Sequence, residues 1–184
     1  MLYPEKTVRL KDGRTCIFRS PRPDDAEAML EYLKTCAAQT PFILREPEEC
    51  TETPQDEAQY LSALIASPQR LMIVCEIQGE IAGNCQLSFN SRRKTRHRGS
   101  VAIALVKQYW GVGIGTAMFH EMIEIARRQG LLQLELEFIE GNRRGQALYE
   151  KMGFHIVGSR PNAYRLSDGS MRQEILMVKP LDPL

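Results

Sequence analysis

The sequence lacks the features that define several large classes of protein. No apolar run is long enough to span a bilayer, and the first residues, Met1 to Lys6, lack the apolar core of a signal peptide. The net charge is only +1, which gives no overall attraction to nucleic acid or to anionic membranes. We therefore expect no membrane partner, no nucleic-acid partner and a cytoplasmic location.

Cysteine occurs in an odd number and in a spacing that is typical of neither a zinc site nor a complete disulfide framework. The five cysteines stand at positions 16, 36, 50, 75 and 85 without a C-x-x-C pair. The three histidines, His97, His120 and His155, also lack the spacing of metal ligands. We predict no metal site and a reducing compartment, with Cys75 and Cys85 packed inside strands as small hydrophobic residues.

No linker rich in Pro, Gly or Ser divides the chain, and no internal repeat is present. The 184 residues, 43% of them apolar, are enough to bury one hydrophobic core. A single α/β domain over residues 1–184 is the expected organisation. A basic run at residues 92–98 is the one local excess of charge; since no aromatic residue interrupts it, we interpret it as a solvated hairpin loop rather than a platform for nucleic acid.

The order of the predicted elements is mixed. Two short runs, 8–10 and 15–19, form a hairpin or irregular strand pair around Asp12-Gly13. A helix follows from a capping-box-like start, Asp24 with Glu27, and a second helix begins at Thr53-Pro54 and ends before Pro68. Further strand-like runs are 71–77, 81–87, 101–106, 132–138, 155–157 and 174–178. The first two are joined by Gln78-Gly79-Glu80, a hairpin signal, and the last two by a long polar connection from Ser159 to Arg172. Antiparallel hairpins therefore come first, followed by one parallel crossover.

A glycine-rich segment, Tyr109 to Thr116, connects the strand 101–106 to an amphipathic helix that is predicted from Thr116 to a cap at Gly130. Glycines in such a turn let the backbone approach a ligand closely, and the free amides of the first helical turn favour an anion. The segment is not a P-loop, because no Lys follows the last glycine. It departs from the dinucleotide fingerprint because Thr116 stands where the third glycine belongs. A turn that only connects the two elements remains an alternative.

A second group of residues makes the pattern specific. The alternating strand 132–138 is followed by Asn142, then by Ala147-Leu148-Tyr149 on a short helix, and then by Gly153-Phe154 before another strand. This order, downstream of a glycine-rich turn, resembles the GNAT superfamily of acetyl-CoA-dependent N-acetyltransferases. The resemblance implies a single GNAT-type domain of mixed α/β (α+β) class, with a central, mostly antiparallel sheet of six to seven strands and helices on both faces.

The resemblance also implies which residues bind acetyl-CoA. The pyrophosphate of coenzyme A would lie on the backbone amides of the glycine turn, the pantetheine arm would pair with the preceding strand, and Asn142 would contact the cofactor arm. Tyr149 would lie near the sulfur and act as general acid for the departing thiolate. The implied cofactor residues are Ile103, Leu105, Val106, Trp110, Gly111, Val112, Gly113, Ile114, Gly115, Thr116, Asn142 and Tyr149. Trp110 replaces the Arg or Gln usual in the family, which leaves one fewer positive side chain.

The reaction requires a neutral amine, so the general base matters. At pH 7.4 deprotonation costs about 4 kcal/mol for a lysine-like amine and about 0.5 kcal/mol for an α-amine. Many family members carry, on the strand before the turn, a Glu that acts as the general base, but Ser100 or Val101 stands there in this chain. Glu135 and Glu137 share one face of the next strand, and Glu137, nearer the end where the two strands would splay, is the candidate base.

The resulting prediction is an N-acetyltransferase that transfers acetyl directly to a primary amine of a small molecule or protein in a ternary complex. A non-catalytic acyl-CoA-binding or regulatory module of the same fold is the main alternative, and a Rossmann-type nucleotide enzyme is the third. Dimers are frequent in the family, so a homodimer is compatible with the resemblance. Two segments would border the acceptor site, and their candidate contacts are Phe42, Glu46, Glu48, Glu49, Arg160, Asn162, Tyr164 and Arg165.

Overall fold

The protein is described by a computed structural model over residues 1–181. This part of the chain forms two compact units: residues 1–88 with 102–118, and residues 89–101 with the chain from Phe119 onward. It contains eight strands and four α-helices, one strand more than the upper limit of the prediction. The strands are β1 (Lys6–Arg9), β2 (Thr15–Arg19), β3 (Arg70–Ile77), β4 (Glu80–Phe89), β5 (Arg98–Leu105), β6 (Gln133–Ile139), β7 (His155–Arg165) and β8 (Met171–Pro180). The helices are α1 (Ala26–Gln39), α2 (Pro54–Ala66), α3 (Ile114–Arg128) and α4 (Arg143–Lys151).

The first unit contains an antiparallel meander. Strand β1 pairs with β2, β2 with β3, and β3 with β4, as the predicted hairpins require. The β3–β4 connection is a tight turn in which Gln78 and Gly79 both have positive φ, 53° and 86°. Two consecutive residues with positive φ are typical of the turns that match the twist of a hairpin. Cys75 and Cys85 are fully buried in these strands, as predicted.

Helix α1 begins differently from the prediction. Asp24 and Glu27 do not form the expected capping box; Asp25 is the N-cap residue and makes no side-chain cap to α1. Its carboxylate instead accepts two hydrogen bonds from the Arg19 guanidinium, at 2.7 and 2.8 Å, and one from the Arg22 amide, at 2.6 Å. Because Arg19 is buried, pairing its charge takes precedence over capping the helix.

Helix α2 begins as predicted. Thr53 accepts a hydrogen bond from the Asp56 amide and Pro54 occupies the first helical position. Glu52 immediately precedes the N-cap residue, and Glu57 is the fourth residue of the helix. In many helices apolar side chains at these two positions pack against each other. Glu57 is buried, and burial, followed by the negative charge of Glu52, raises its pKa against the opposing charge of Arg45. One oxygen of each carboxyl is buried without a hydrogen-bond partner among the described residues.

The second unit contains the start of β5 and strands β6, β8 and β7, hydrogen-bonded in that order. Strand β5 runs parallel to β6, with Arg98 opposite Gln133, which confirms the predicted parallel crossover. The other pairs are antiparallel. The segment from Ser159 to Arg172, predicted as a long polar connection, is shorter than expected, because β7 extends to Arg165 and β8 begins at Met171. Strand β7 continues through two register shifts, between Ile156 and Gly158 and between Arg160 and Tyr164.

Helix α3 begins at Ile114, two residues before the predicted start, and Gly130 ends the segment with φ of 73°. The predicted apolar stripe is buried: Met118, Phe119, Met122, Ile123 and Ala126. Phe119 is in edge contact with the rings of Tyr149 and Phe154, each at a centroid distance of 5.7 Å. These aromatic contacts hold α4 and the start of β7 in the second unit. A single domain over residues 1–184 stays a prediction.

Candidate functional site

The glycine turn in the first unit has the backbone of an anion cradle. Gly111 and Gly113 have φ values of 85° and 100°, in the left-handed region that favours glycine. The first hydrogen bond of α3 runs from the Ala117 amide to the Gly113 carbonyl, 3.0 Å. The amides of residues 114–116 therefore precede the hydrogen-bonded ladder of the helix, where the positive end of the helix dipole attracts an anion.

A side chain at position 113 would fill this cradle. A Cβ atom built on Gly113 would lie 3.2 Å from Cγ of Lys11 and 3.6 Å from its Cδ and Cε atoms. The positive φ would strain any other residue there. The turn therefore combines a glycine, at a position where a side chain would be strained, with free helix amides, and this fits the pyrophosphate of coenzyme A.

The strand before the turn uses part of its own hydrogen-bonding capacity. The Val106 amide donates to the Ala82 carbonyl and the Val106 carbonyl accepts from the Tyr109 amide, both at 3.0 Å. The Leu105 carbonyl accepts a hydrogen bond from Nε1 of Trp110, 2.8 Å. Trp110 therefore braces the turn against the end of β5 instead of presenting a charge. A carbonyl oxygen has two lone pairs, so Leu105 keeps one for a ligand, whereas the Val106 amide is already used.

A buried tyrosine that the sequence did not single out holds the end of β5. The hydroxyl of Tyr32 lies 3.0 Å from Oδ1 of Asn84 and 2.9 Å from the Ala104 carbonyl, and it accepts from the Asn84 amide at 3.2 Å. Its pKa is raised well above the usual value, mainly by burial. Tyr32 stands on α1 beside Leu33, one of the apolar residues that recur along this helix, but no short sequence motif links Tyr32 to β5.

The second unit carries the two candidate bases on one face of β6. Glu135 accepts hydrogen bonds from Arg98, 2.9 Å, and from Gln133, 2.7 Å. The Glu137 carboxylate makes no hydrogen bond or ion pair with another residue of the described chain. Partial desolvation raises the pKa of Glu137, and the negative charges of Glu174 and Glu135 add to this, whereas Arg160 opposes it. A carboxylate with a raised pKa and no fixed partner is suited to accept a proton.

A network on β7 and β8 adjoins this face. Glu174 is opposite Ile139 in the β6–β8 register, and Leu176 is opposite Glu137, so Glu174 lies diagonally from Glu137 on the same face. Glu174 is buried, accepts a 2.7 Å hydrogen bond from Tyr164 and pairs with Arg160 at 2.7 Å. Arg160 and Tyr164 were predicted to border the acceptor; Glu174 was missed, because a single Glu in a strand carries no signal.

Tyr149 lies on α4, with its ring between Phe119 and Phe138, each at a centroid distance of 5.7 Å. It is buried, and burial raises its pKa to about 12. The phenol therefore stays protonated throughout the neutral range, as a proton donor must.

The Asn142 side chain caps the start of α4. Its oxygen accepts a hydrogen bond from the Gly145 amide at 2.9 Å. A Cβ at position 145 would lie within 2.7 to 2.9 Å of the Asn142 amide group, so Gly145 makes room for the cap.

The predicted residues thus lie in both units: the turn and the end of β5 in the first, and Glu137, Tyr149 and Asn142 in the second. Tyr149 packs on Phe138, whose side chain is on the face of β6 opposite to Glu137. The basic run outside both is an exposed turn over Arg92 to His97, closed by hydrogen bonds from the Thr95 and Arg96 amides to the Arg92 carbonyl, each 2.9 Å. Within residues 1–181 no helix is long and apolar enough to cross a bilayer, and no group of side chains is arranged to hold a metal ion. All five cysteines are buried, and none of them forms a disulfide bond.

The chain is similar to known proteins in both sequence and fold. The model of the acetyltransferase (GNAT) family matches residues 28–154. The [ribosomal protein bS18]-alanine N-acetyltransferase of Escherichia coli (strain K12) is 33% identical over 79 residues, 43% of this chain and 53% of that protein. The structure of a GNAT-family acetyltransferase from Streptococcus pneumoniae matches with a TM-score of 0.83 and 26% identity, covering 90% of this chain and 99% of that one. A ribosomal L7/L12 alpha-N-protein acetyltransferase in complex with coenzyme A has the same fold, with a TM-score of 0.77, 17% identity and 99% of both chains covered.

Proposed function

Since the chain belongs to the GNAT family and is an acyltransferase that uses acetyl-CoA, we propose that its acceptor is the α-amino group of a protein N-terminus. The family and the shared fold leave the acceptor open, because a relative named for phosphinothricin has the same fold as relatives named for ribosomal proteins. The Escherichia coli relative, which is named for an alanine of a ribosomal protein, supports an α-amine.

The observation that carries the proposal is the carboxylate face of β6 and β8. Glu135, Glu137 and Glu174 share this face, and Glu137 alone among them has no fixed partner. Negative charge attracts an ammonium group, and a carboxylate with a raised pKa can then take its proton. An α-amine demands little of this base, because the free-energy cost of deprotonating it near pH 7.4 is only about 0.5 kcal/mol. A single carboxylate that keeps contact with solvent fits such an acceptor better than a lysine side chain.

In this proposal the chain's residues divide the work. Bound acetyl-CoA supplies an activated acetyl thioester, and the glycine turn from Trp110 to Thr116 holds its pyrophosphate. Glu137 accepts the proton of the amine, directly or through water. Tyr149 donates a proton to the sulfur as the thiolate leaves, a role that its protonated state supports.

The proposal keeps two further expectations. The enzyme works in the cytoplasm, where ribosomal proteins are made, and it needs no metal. A homodimer stays compatible with it.

A set of acceptors tests the proposal. Thiol release from acetyl-CoA is measured with a peptide that begins with a free alanine, with the same peptide blocked at its N-terminus and carrying one internal lysine, and with spermidine. We expect the highest kcat/KM for the free N-terminus. Equal or faster reaction with the lysine peptide or with spermidine would contradict the proposal.

Two variants test the role of Glu137. Glu137→Gln should lower kcat with a lysine peptide by about 10²- to 10⁴-fold, the usual range for loss of a general base, and by a smaller factor with a free N-terminus, while coenzyme A binding stays unchanged. Glu135→Gln is the matched control, because Glu135 is on the same strand face but already bonded to Arg98 and Gln133. A similar loss of kcat in both variants would point to the charge of the face and not to proton transfer by Glu137.

A further inference from the structure

The hairpin between β1 and β2 is docked on the glycine turn within the first unit. The Lys11 amide donates to the Val112 carbonyl at 3.0 Å. Three residues along, the Arg14 guanidinium lies 5.6 Å from the centre of the Tyr109 ring. The two contacts are independent and both end on the turn, so the hairpin is a fixed wall of the cradle.

The loop of this hairpin, residues 10–14, carries two basic side chains, Lys11 and Arg14, and they are in different electrostatic states. Arg14 is already neutralised, because its guanidinium pairs with Asp12 at 2.7 and 2.8 Å. Lys11 makes no hydrogen bond or ion pair through its side chain with any other residue of the described chain. Among the described residues, Lys11 is therefore the one basic side chain of this loop that has no charged partner.

The stem of Lys11 runs across the glycine at the centre of the turn. Its Cγ, Cδ and Cε atoms lie 3.2, 3.6 and 3.6 Å from the position that a Cβ of Gly113 would occupy. The ammonium group is one bond beyond Cε, and the amides that open α3 follow Gly113 directly in the chain. The ammonium of Lys11 and the free amides that open α3 are both positive, so an anion bound at the turn would neutralise both.

We propose that Lys11 is a coenzyme A-binding residue whose ammonium pairs with the pyrophosphate of the bound cofactor. It supplies the positive charge that is missing from the turn, where Trp110 stands and is used to brace Leu105. The charge thus comes from a hairpin about a hundred residues earlier in the chain. The proposal rests on the acetyl-CoA-dependent function described above and adds one residue to its binding site.

Equilibrium binding tests this role without any acceptor. Dissociation constants for coenzyme A, dephospho-coenzyme A and pantetheine are measured by calorimetry for the unaltered protein and for Lys11→Met, which keeps the apolar stem and removes the charge. Losing a charge-assisted contact to phosphate at a partly exposed site should weaken coenzyme A about 3- to 10-fold. Dephospho-coenzyme A should weaken by the same factor, because it retains the pyrophosphate, and pantetheine should be unaffected.

Three controls make the result specific. Lys11→Arg should restore most of the affinity. Lys94→Met, which removes one positive charge from an exposed turn elsewhere, should change none of the three constants. The loss in Lys11→Met should also shrink in about 0.5 M salt, where exposed charges are screened.

Unchanged coenzyme A affinity in Lys11→Met, an equal loss in Lys94→Met, or a loss confined to coenzyme A and absent for dephospho-coenzyme A would each overturn the assignment to the pyrophosphate. Binding of coenzyme A by the unaltered protein reports on the enzyme assignment itself. The ratio between variant and unaltered protein reports on Lys11 alone, so the two failures are distinguishable.

Discussion

Gly83 allows β4 to approach the end of β5, and replacing it is the sharpest steric test that the structure offers. A Cβ at position 83 would lie 2.2 Å from Cδ2 of Leu105, 2.7 Å from the Ala104 carbonyl oxygen and 3.2 Å from Cα of Leu105. The Leu105 methyl group can rotate away, but the other two atoms belong to the backbone. Gly83→Ala must therefore push the end of β5 outward.

The size of the effect follows from these contacts. The Ala104 oxygen has to retreat by about 0.7 Å to reach ordinary van der Waals distance. This movement strains its 2.9 Å hydrogen bond with Tyr32 and the 3.0 Å bond between the Val106 amide and Ala82. Overpacking of this kind costs about 1–3 kcal/mol. At about 2–4 °C per kcal/mol for a chain of this length, the midpoint of thermal unfolding should fall by about 2–12 °C.

The assay is thermal unfolding with and without coenzyme A, and Gly158→Ala is its matched control. Gly158 is also in a strand, but a Cβ there would meet nothing within 4 Å, so the alanine should leave the midpoint unchanged or raise it slightly. Coenzyme A should stabilise Gly83→Ala less than the unaltered protein, since the shifted strand is the one proposed to hold the pantetheine arm. If Gly83→Ala matches Gly158→Ala in both midpoint and stabilisation by coenzyme A, the steric reasoning is wrong.

Two further predictions concern buried acids. Tyr149→Phe should lower kcat with coenzyme A affinity unchanged, because it removes only the proton donor; equal kcat in a steady-state assay would remove Tyr149 from the mechanism. Glu57→Gln should raise the unfolding midpoint at pH 7–8, because burial and the charge of Glu52 raise the pKa of Glu57 and so penalise its ionised form. The folded protein keeps that proton after the unfolded chain has lost it, so stability falls as the pH rises from about 4 through the folded-state pKa. The gain in Glu57→Gln should therefore shrink towards pH 4, and a gain independent of pH would contradict this origin.

Much of the fold was readable from local patterns. The hairpin around Gln78-Gly79, the cap at Thr53-Pro54 and the buried stripe of α3 each depend on residues close together in sequence, and each was predicted. The errors arose where distant residues intervene. Asp25 leaves its helix to pair with the buried Arg19, and the second half of β7 is ordered by its pairing with β8.

The residues of the candidate site could likewise be named from the sequence only where they lie close together in the chain. The glycine turn and Tyr149 lie in contiguous motifs, so their residues could be named. Lys11 and Tyr32 could not, because each reaches its place by tertiary packing: Lys11 through a hairpin near the start of the chain, and Tyr32 through a helix packed on β4 and β5. The sequence also did not explain why Trp110 stands in place of a charged residue. The hydrogen bond from Trp110 to the Leu105 carbonyl is visible only in the structure.

The acceptor and the base are linked by the free energy of deprotonation. At pH 7.4 a fraction of roughly 0.3 of an α-amine with pKa near 7.8 is already neutral, whereas for a lysine with pKa near 10.4 the fraction is on the order of 10⁻³. Solvent can therefore replace much of the work of Glu137 for an α-amine but little of it for a lysine. Under the proposed mechanism, a site that has Ser100 or Val101 where a dedicated carboxylate is usual, and that uses Glu137 beside two negatively charged neighbours, is adequate for the first acceptor and weak for the second. The loss of kcat in Glu137→Gln should accordingly be smaller with a free N-terminus than with a lysine peptide.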